Sequence, residues 1–288
     1  MKVIKNIRST DESIKYLLKL DDEYIESVYI PQPEGVNLCI SSQIGCVNKC
    51  KHCATGRIQY IRDLSSEEII NQVKIMLKEQ RFVQGKVKLL FMGMGEPLLN
   101  YKEVMRAIRM FSQETWLQNT RDIIISTSGI VEAICQLASE EIRPKLAITI
   151  GAVSEEKRNW LLVPIGKLFS LSVVTKVARE YITRTNDDII FQYPLIKDFN
   201  DSIEEAKTLT NLIKNIPSEV HLIQFNEFKE SQLKRPTEDI ISNFYQYLNS
   251  EGIKVFIKRS FGIDINAGCG QLTTNLHIDK GDNRFIHL

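Results

Sequence analysis

Short apolar runs alternate along the chain with longer stretches in which apolar and polar residues follow a helical spacing. The apolar runs are rich in Val, Ile, Leu and Phe, which is typical of strands buried on both faces of a parallel sheet. The pattern predicts strands over residues 37–40, 87–92, 123–126, 146–150, 189–193, 220–224 and 255–258.

The amphipathic stretches between these runs begin with residues that favour helix starts. Ser65 precedes Ser66, Glu67 and Glu68, and Ser202 and Thr237 are likewise followed by acidic residues. A hydroxyl at the helix start accepts from exposed amides, and acidic residues in the first turn oppose the positive end of the helix dipole. Alternating β and α units predict a parallel sheet, and about six units suit a partial (β/α)6 TIM-like barrel with ligands at the carboxyl ends of its strands.

Composition and net charge indicate a folded globular protein but do not identify its function. The 288 residues are 43% hydrophobic and 25% charged, so the chain has the composition of a folded globular protein. A net charge of +1 argues against a strongly basic nucleic-acid-binding domain, but it leaves room for a local basic patch. We expect a cytoplasmic protein with no membrane partner, because the chain has neither a long apolar segment nor an apolar core to its N-terminus.

Cysteines carry the strongest chemical signal in the sequence. Four of the six lie within fifteen residues, and Cys46, Cys50 and Cys53 form a C-x-x-x-C-x-x-C run directly after the first predicted strand. Three thiolates leave one iron of a 4Fe–4S cluster open for a substrate. A zinc site needs a fourth ligand, and His52 is poorly suited because it is adjacent to Cys53 and points elsewhere.

Other candidate residues follow predicted strands or lie in flexible loops. Glu96, in the turn Gly93-Met-Gly-Glu-Pro, can hold an ammonium group. Ser126 can contact a ribose or a carboxylate, and Asn226 can bind an adenine or ribose edge. Cys269 lies between glycines, which favours a reactive thiol over a structural one. Cys135 lies in a helical pattern and is expected to be buried and inert.

Four motifs together resemble the RlmN/Cfr family of radical S-adenosylmethionine adenosine methyltransferases. They are ISSQIGC at 40–46, FMGMGEPLLN at 91–100, STSGI at 126–130 and GCGQL at 268–272, and they occur in the family's order. The similarity extends over residues 15–272 and implies a barrel of the radical S-adenosylmethionine type. It divides the chain into a short N-terminal extension (1–25) and a core barrel (26–288) that carries a C-terminal loop with a catalytic cysteine.

The resemblance also implies cofactors and their ligands. One 4Fe–4S cluster would be held by Cys46, Cys50 and Cys53. Two molecules of S-adenosylmethionine would be used per turnover, in a site formed by Gly95, Glu96, Ser126, Thr149, Ile150, Gly151 and Asn226. A flavodoxin- or ferredoxin-type electron donor and a disulfide reductant would be needed, and a monomer is expected.

In that family the C-terminal cysteine, Cys269 here, is first methylated, and a 5′-deoxyadenosyl radical then removes hydrogen from its S-methyl group. The resulting radical adds to an electrophilic carbon of adenine. Cys39 would release the product by attacking the sulfur of Cys269, which forms a disulfide, and Glu26 would accept the proton from the methylated carbon. Chemically this is thiol–disulfide exchange.

The sequence departs from the family pattern in three places. A helical N-terminal domain that is usual in the family is not expected here, Gly151 stands where a histidine is common, and Gln192 stands where a glutamate is common. A basic zone at 35–62, with Lys49, Lys51, Arg57, Arg62 and Tyr60, can contact RNA or can be a solvated loop.

The leading hypothesis is methylation of adenine carbon 2 in 23S rRNA or tRNA. The alternatives are carbon 8, another RNA, a nucleotide or a small heteroaromatic substrate, and a degenerate sensor that only binds the cluster.

Overall fold

One ten-stranded sheet forms the centre of the computed structural model, which describes residues 1–273. The twelve strands are β1 (Lys2–Arg8), β2 (Ile14–Leu20), β3 (Glu23–Gln32), β4 (Gly35–Cys39), β5 (Gln43–Ile44), β6 (Arg62–Asp63), β7 (Lys86–Phe91), β8 (Ile123–Thr127), β9 (Lys145–Thr149), β10 (Ile189–Leu195), β11 (Ser218–Gln224) and β12 (Lys254–Lys258). β5 and β6 pair separately as a small ribbon.

The parallel part of the sheet confirms the predicted fold class. Strands β4, β7, β8, β9, β10, β11 and β12 are neighbours in chain order and parallel. All seven predicted strands are present, with ends within two residues of the prediction. Six helical crossings connect these seven strands, as expected of a partial (β/α)6 barrel with one further strand.

Helices cover the outer face of this sheet. They are α1 (Ser66–Glu79), α2 (Tyr101–Phe111), α3 (Val131–Leu137), α4 (Glu155–Leu161), α5 (Ile165–Leu168), α6 (Leu171–Thr185), α7 (Ile203–Ile213) and α8 (Glu238–Ser250). The predicted helix starts are confirmed, because Ser65, Ser202 and Thr237 each accept a hydrogen bond from a first-turn amide. Within residues 1–273, no helix combines the length and the apolar character needed to cross a membrane.

Burial alternates along the strands and shows which face holds the core. In β7, Val87, Leu89 and Phe91 are buried beneath the helices, whereas Lys88 and Leu90 point to the opposite face and are less covered. That opposite face is concave. The charge of Lys88 on β7 lowers the pKa of Lys258 on β12, although a flat sheet would separate these two strands by about 24 Å. The sheet therefore curves into an incomplete barrel.

The N-terminal residues extend this sheet, which the sequence pattern did not predict. Strands β1, β2 and β3 pair antiparallel in succession, and β3 pairs with β4, so most of residues 1–25 belong to the same sheet as the barrel. Strand β2 does not alternate cleanly, because Lys15 is as buried as its apolar neighbours. The last part of the predicted core barrel, 274–288, lies outside the described residues.

Candidate active site

The three clustered cysteines lie on one loop at the carboxyl end of β4. Cys46 is buried, Cys50 and Cys53 are half-buried, and all three line a cavity at that end of the barrel. Burial raises the pKa of each thiol, and their neighbouring charges raise the pKa of Cys46 and Cys50 further. A bound cation or cluster would reverse this effect, because it stabilises the thiolate form.

Three thiols on one loop match the ligand set of a 4Fe–4S cluster that keeps one iron open. Among residues 1–273, no three Cys, His, Asp or Glu side chains are close enough to share one metal ion. A 4Fe–4S cluster makes a different demand, since each cysteine ligates a separate iron. His52 also lines the cavity, and burial lowers its pKa to about 4, so the ring is neutral at pH 7.

Glu96 lies in the cavity wall within a network of hydrogen bonds. One carboxylate oxygen accepts from the backbone amide and hydroxyl of Ser128 (2.8 and 2.7 Å), and Asn48 Nδ2 donates to Ser128 Oγ (2.8 Å). Burial raises the pKa of Glu96, while the bonds from Ser128 oppose this shift. An ammonium group in the cavity would further favour the ionised carboxylate. Ser128 stands inside the STSGI motif and Asn48 inside the cysteine run, but the sequence did not distinguish either residue from its neighbours.

Gly95 is required by the protein's own packing. Its φ of +100° is a conformation that favours glycine, and a Cβ there would lie 2.6 Å from the Cβ of Gln43. Gln43 Oε1 accepts from the Glu96 amide at 2.9 Å. The glycine thus brings the loop after β7 against Gln43 on β5, and this contact orients Glu96.

Three polar side chains on adjacent strands meet further along the same wall. The hydroxyls of Ser126 and Thr149 both donate to Gln192 Oε1, at 2.6 and 3.3 Å, and all three residues line the cavity. Each hydroxyl therefore keeps its oxygen lone pairs for a ligand in the cavity. Gln192, which sequence analysis noted only as a departure from the family pattern, is the residue that orients both.

Ile150 and Gly151 lie next to this wall but do not line the cavity. Both are buried, and the Gly151 carbonyl accepts from Asn200 Nδ2 at 2.7 Å. A Cβ on Gly151 would lie 2.9 Å from a Leu162 methyl group, and its φ is +79°. The position is therefore constrained by the backbone and by Leu162.

Three polar atoms of cavity-lining residues have no hydrogen-bond partner among the described residues. They are Asn48 Oδ1, His52 Nδ1 and Asn226 Oδ1, and all three are buried. Buried polar atoms are normally paired, so unpaired ones around a cavity mark places for a polar ligand. This arrangement fits a ligand with amino, carboxyl, ribose and adenine groups, such as S-adenosylmethionine.

The loop that carries Cys269 is fastened to this cavity at several points. Asn226 Nδ2 donates to the Cys269 carbonyl at 3.0 Å, the Ala54 amide donates to the Gly270 carbonyl at 2.7 Å, and Thr55 Oγ1 donates to the Leu272 carbonyl at 2.7 Å. Cys269 is exposed and lines the same cavity as the three clustered cysteines. The loop therefore closes over the cysteine loop.

Cys39 and Glu26 lie beside this cavity and do not line it. Cys39 ends β4 and pairs with Val28, two residues from Glu26 on β3, so all three side chains share the concave face. Cys39 and Cys269 are free thiols, and the charge of Cys269 contributes to raising the pKa of Cys39, after burial.

Glu26 is almost fully buried, and within residues 1–273 its carboxylate contacts two groups. Lys15 Nζ lies 3.2 Å from Glu26 Oε1, and the Thr273 amide donates to Glu26 Oε2 at 3.0 Å. Lys15 Nζ also donates to the Asn266 carbonyl at 3.2 Å. This ion pair therefore anchors the Cys269 loop on both sides. Sequence reasoning missed Lys15, because a lone lysine in an apolar run carries no specific signal.

The predicted basic zone at 35–62 is partly neutralised. Arg62 forms an ion pair with Glu68 at 2.8 Å, and Lys51 lies 4.3 Å above the ring of Trp160. The Tyr60 hydroxyl donates to Asp63 at 3.2 Å. Lys49 and Arg57 remain exposed, so the zone is narrower than the sequence suggested.

Cys135 is half-buried on α3, where sequence analysis expected a buried thiol. It does not line the cavity.

Comparisons with known proteins identify what this arrangement is similar to. Residues 40–209 match the model of the Radical SAM superfamily. The chain is 40% identical over 271 residues to a probable dual-specificity RNA methyltransferase RlmN of Fervidobacterium nodosum, an alignment that covers 92% of this chain and 77% of that one. It is 38% identical to the dual-specificity RNA methyltransferase RlmN of Geotalea uraniireducens, with 93% and 77% covered.

A solved structure agrees with these sequence matches. The crystal structure of a radical SAM methyltransferase from Sphaerobacter thermophilus superposes with a TM-score of 0.91 and 32% sequence identity. The match covers 95% of this chain and 81% of that chain.

Proposed function

The chain belongs to the RlmN family of radical S-adenosylmethionine-dependent methyltransferases, and we propose that it methylates carbon 2 of an adenosine in 23S rRNA or tRNA. Family membership implies a 4Fe–4S cluster and S-adenosylmethionine, which supply one-electron chemistry and the methyl group. The observation that carries the proposal is that Cys269 lines the same cavity as Cys46, Cys50 and Cys53.

In this proposal Cys46, Cys50 and Cys53 hold the cluster. Gly95 and Glu96 bind the amino acid part of S-adenosylmethionine, with Asn48 and Ser128 orienting the carboxylate of Glu96. The other contacts come from the hydroxyls of Ser126 and Thr149 and the unpaired Oδ1 of Asn226, while Ile150 and Gly151, which do not line the cavity, support this wall from behind.

Cys269 is the group that carries the methyl in this scheme. Its thiolate takes a methyl group from the first S-adenosylmethionine, and a second molecule is consumed when one hydrogen atom is removed from that S-methyl group. The S-methylene carbon bonds to adenine, and the adduct then gives up one electron to the electron carrier and loses the proton of the methylated carbon to Glu26. The Cys39 thiolate attacks the Cys269 sulfur, so that the disulfide forms as the bond between that sulfur and the methylene carbon breaks, and the released methylene carbon takes up a proton to become the methyl group. An external dithiol reductant and an electron donor of the flavodoxin or ferredoxin class complete the cycle.

The thiols must ionise for both steps. Burial raises the pKa of Cys39, and protein packed around the side of Cys269 that faces away from the cavity raises the pKa of that thiol, although the residue is exposed. Lys258 opposes this for Cys269, because its charge lowers the pKa of that thiol. Glu26 is proposed to accept the proton from the methylated carbon. Its bond to the Thr273 amide must then open, since the carboxylate is buried beneath that residue.

The test begins with protein reconstituted anaerobically with iron and sulfide, reduced, and given S-adenosylmethionine. We expect intact-mass analysis to find one methyl group on Cys269, and digests of rRNA and tRNA treated with this protein to contain 2-methyladenosine. A Cys39→Ala variant should accumulate protein crosslinked to RNA. A protein that cleaves S-adenosylmethionine without methylating Cys269 would contradict the scheme, and 8-methyladenosine would correct the position.

A further inference from the structure

Two lysines on opposite sides of the incomplete barrel face its concave side. Lys88 on β7 pairs with Asn37, in the register that pairs Leu90 with Cys39, so Lys88 and Cys39 share a face. Lys258 ends β12 and pairs with Ile223, which lines the cavity. Strand alternation therefore places both ammonium groups on the face that carries the cysteine pair.

Electrostatic interactions connect Lys88 with Lys258 and Lys258 with Cys269. Desolvation lowers the pKa of Lys258 most, and the charge of Lys88 lowers it further. Smaller contributions come from Cys269 and Glu219, which raise this pKa, and from Lys145, which lowers it. Lys258 in turn lowers the pKa of Cys269. The thiol that would carry the methyl thus lies near Lys258, and Lys258 in turn lies near Lys88.

Neither cation is neutralised within the described part of the chain. Lys88 and Lys258 have no carboxylate within 4 Å among residues 1–273, whereas two other lysines on the same strands are paired. Lys86 lies 3.1 Å from Asp122, and Lys254 lies 2.9 Å from Glu219. Two like charges that face each other are unfavourable unless an anion lies between them.

We propose that Lys88 and Lys258 bind a backbone phosphate next to the target adenosine and so hold the base at Cys269. This inference rests on the proposed function, because it takes RNA as the substrate. RNA binding draws on phosphate neutralisation, and a chain with a net charge of +1 must concentrate that charge locally. The basic zone at 35–62 supplies little of this positive charge, since Arg62 is paired with Glu68 and Lys51 lies over the ring of Trp160.

The paired lysines on the same strands provide matched controls. Lys88→Met, Lys258→Met and the double variant are compared with Lys86→Met and Lys254→Met, all as reconstituted holoenzyme. The probe is the tRNA or the 23S rRNA fragment that the wild-type enzyme methylates, labelled with fluorescein, and its Kd is measured between 50 and 300 mM KCl.

We expect the double variant to weaken binding about tenfold and to reduce the slope of log Kd against log salt by about one to two. Each control should change Kd less than about twofold, because its charge is already neutralised. Methylation of Cys269 in the absence of RNA is measured in parallel. It should be unchanged in Lys88→Met and in both controls, and slower in Lys258→Met and the double variant, because the charge of Lys258 lowers the pKa of that thiol.

The outcomes separate this inference from the proposed function. A double variant that binds RNA as tightly as the controls overturns the phosphate site, while the function stands. If Lys258→Met slows Cys269 methylation without RNA and leaves Kd unchanged, Lys258 acts on the thiol and the phosphate site is also overturned. A wild-type enzyme that methylates neither Cys269 nor RNA ends both proposals together.

Discussion

Polar side chains are paired with one another at one end of the barrel, whereas several keep unpaired buried atoms at the other end. At the amino ends of the strands, Arg121, Arg143, Lys145 and Lys254 are matched with Asp187, Asp188 and Glu219, at distances from 2.6 to 3.4 Å. At the carboxyl ends, Asn48, His52 and Asn226 each keep a buried polar atom that no described residue satisfies. In barrels of this kind the carboxyl end carries the chemistry and the other end carries stability.

The difference shows how function can be located without a bound ligand. Charges that are matched by neighbouring charges need nothing further, and removing one partner costs stability. Polar atoms that are buried around a cavity without partners cost free energy in the empty protein, and a ligand can recover it. Glu26 and Lys15 form an exception, because they are paired and buried at the functional end. There the ion pair fastens the loop that carries Cys269.

The strongest test of this contrast removes one cluster thiol. A Cys50→Ser variant should lose most of its bound iron and all detectable methylation, a drop of at least about a thousandfold, because two thiolates and one alcohol cannot hold the cluster in place. Iron content, the visible absorbance of the cluster and methylation of Cys269 are the measurements. Cys135→Ser, on α3 away from the cavity, should keep iron and activity. If Cys135→Ser lost as much iron and methylation activity as Cys50→Ser, the three-cysteine loop would have no particular role in holding the cluster.

A second test asks whether the ion pair at the functional end is structural. Lys15→Met should lower the free energy of unfolding by about 3–5 kcal/mol, because it removes the cation that lies 3.2 Å from the buried Glu26 carboxylate. Lys19→Met, on the same strand but 3.9 Å from the exposed Asp22, should change stability by less than about 0.5 kcal/mol. Urea unfolding gives both values. Similar results for the two variants would show that the Lys15 pair contributes no more than a surface contact.

The smallest effect is expected at the amino end of the strands and depends on pH. Glu219 has its pKa lowered to about 2, by hydrogen bonds from Lys254 and Lys145 that outweigh burial. Since the folded-state pKa lies below the usual value of 4.5, the stabilisation is fully present above about pH 4.5 and is lost as the pH falls towards 2.

At pH 7, Glu219→Gln should therefore cost about 1–3 kcal/mol, and this difference should shrink below pH 4.5. Urea unfolding of cluster-free protein across that range measures it, with Cys269 methylation at pH 7 as a second readout that should be unaffected. The exposed Glu204, 3.5 Å from Lys207, provides the control through Glu204→Gln. A difference that stays constant from pH 7 to pH 3 would contradict the matched-charge account.

Local patterns in the sequence predicted the barrel more accurately than its N-terminal extension. Helix starts at Ser65, Ser202 and Thr237 depend only on neighbouring residues, and all three are present. Strands β1 to β3 were missed because their positions depend on a partner strand, and a buried lysine at position 15 obscures the alternation. In the sequence, Gln192 was only a departure from the family pattern, which has a glutamate there. In the structure it accepts hydrogen bonds from two hydroxyls that line the cavity.

Three features could be predicted from local sequence: the three-cysteine loop, the six β/α units and the glycine turn before Glu96, since each is encoded by residues close together in the chain. Which distant groups meet depends instead on the fold of the whole chain. Cys269 comes close enough to Cys39 to raise the pKa of that thiol, Lys88 faces Lys258, and Lys15 is buried against Glu26. These contacts depend on how strongly the sheet curves and on where the last loop crosses it. Periodicity along a chain carries no information about either.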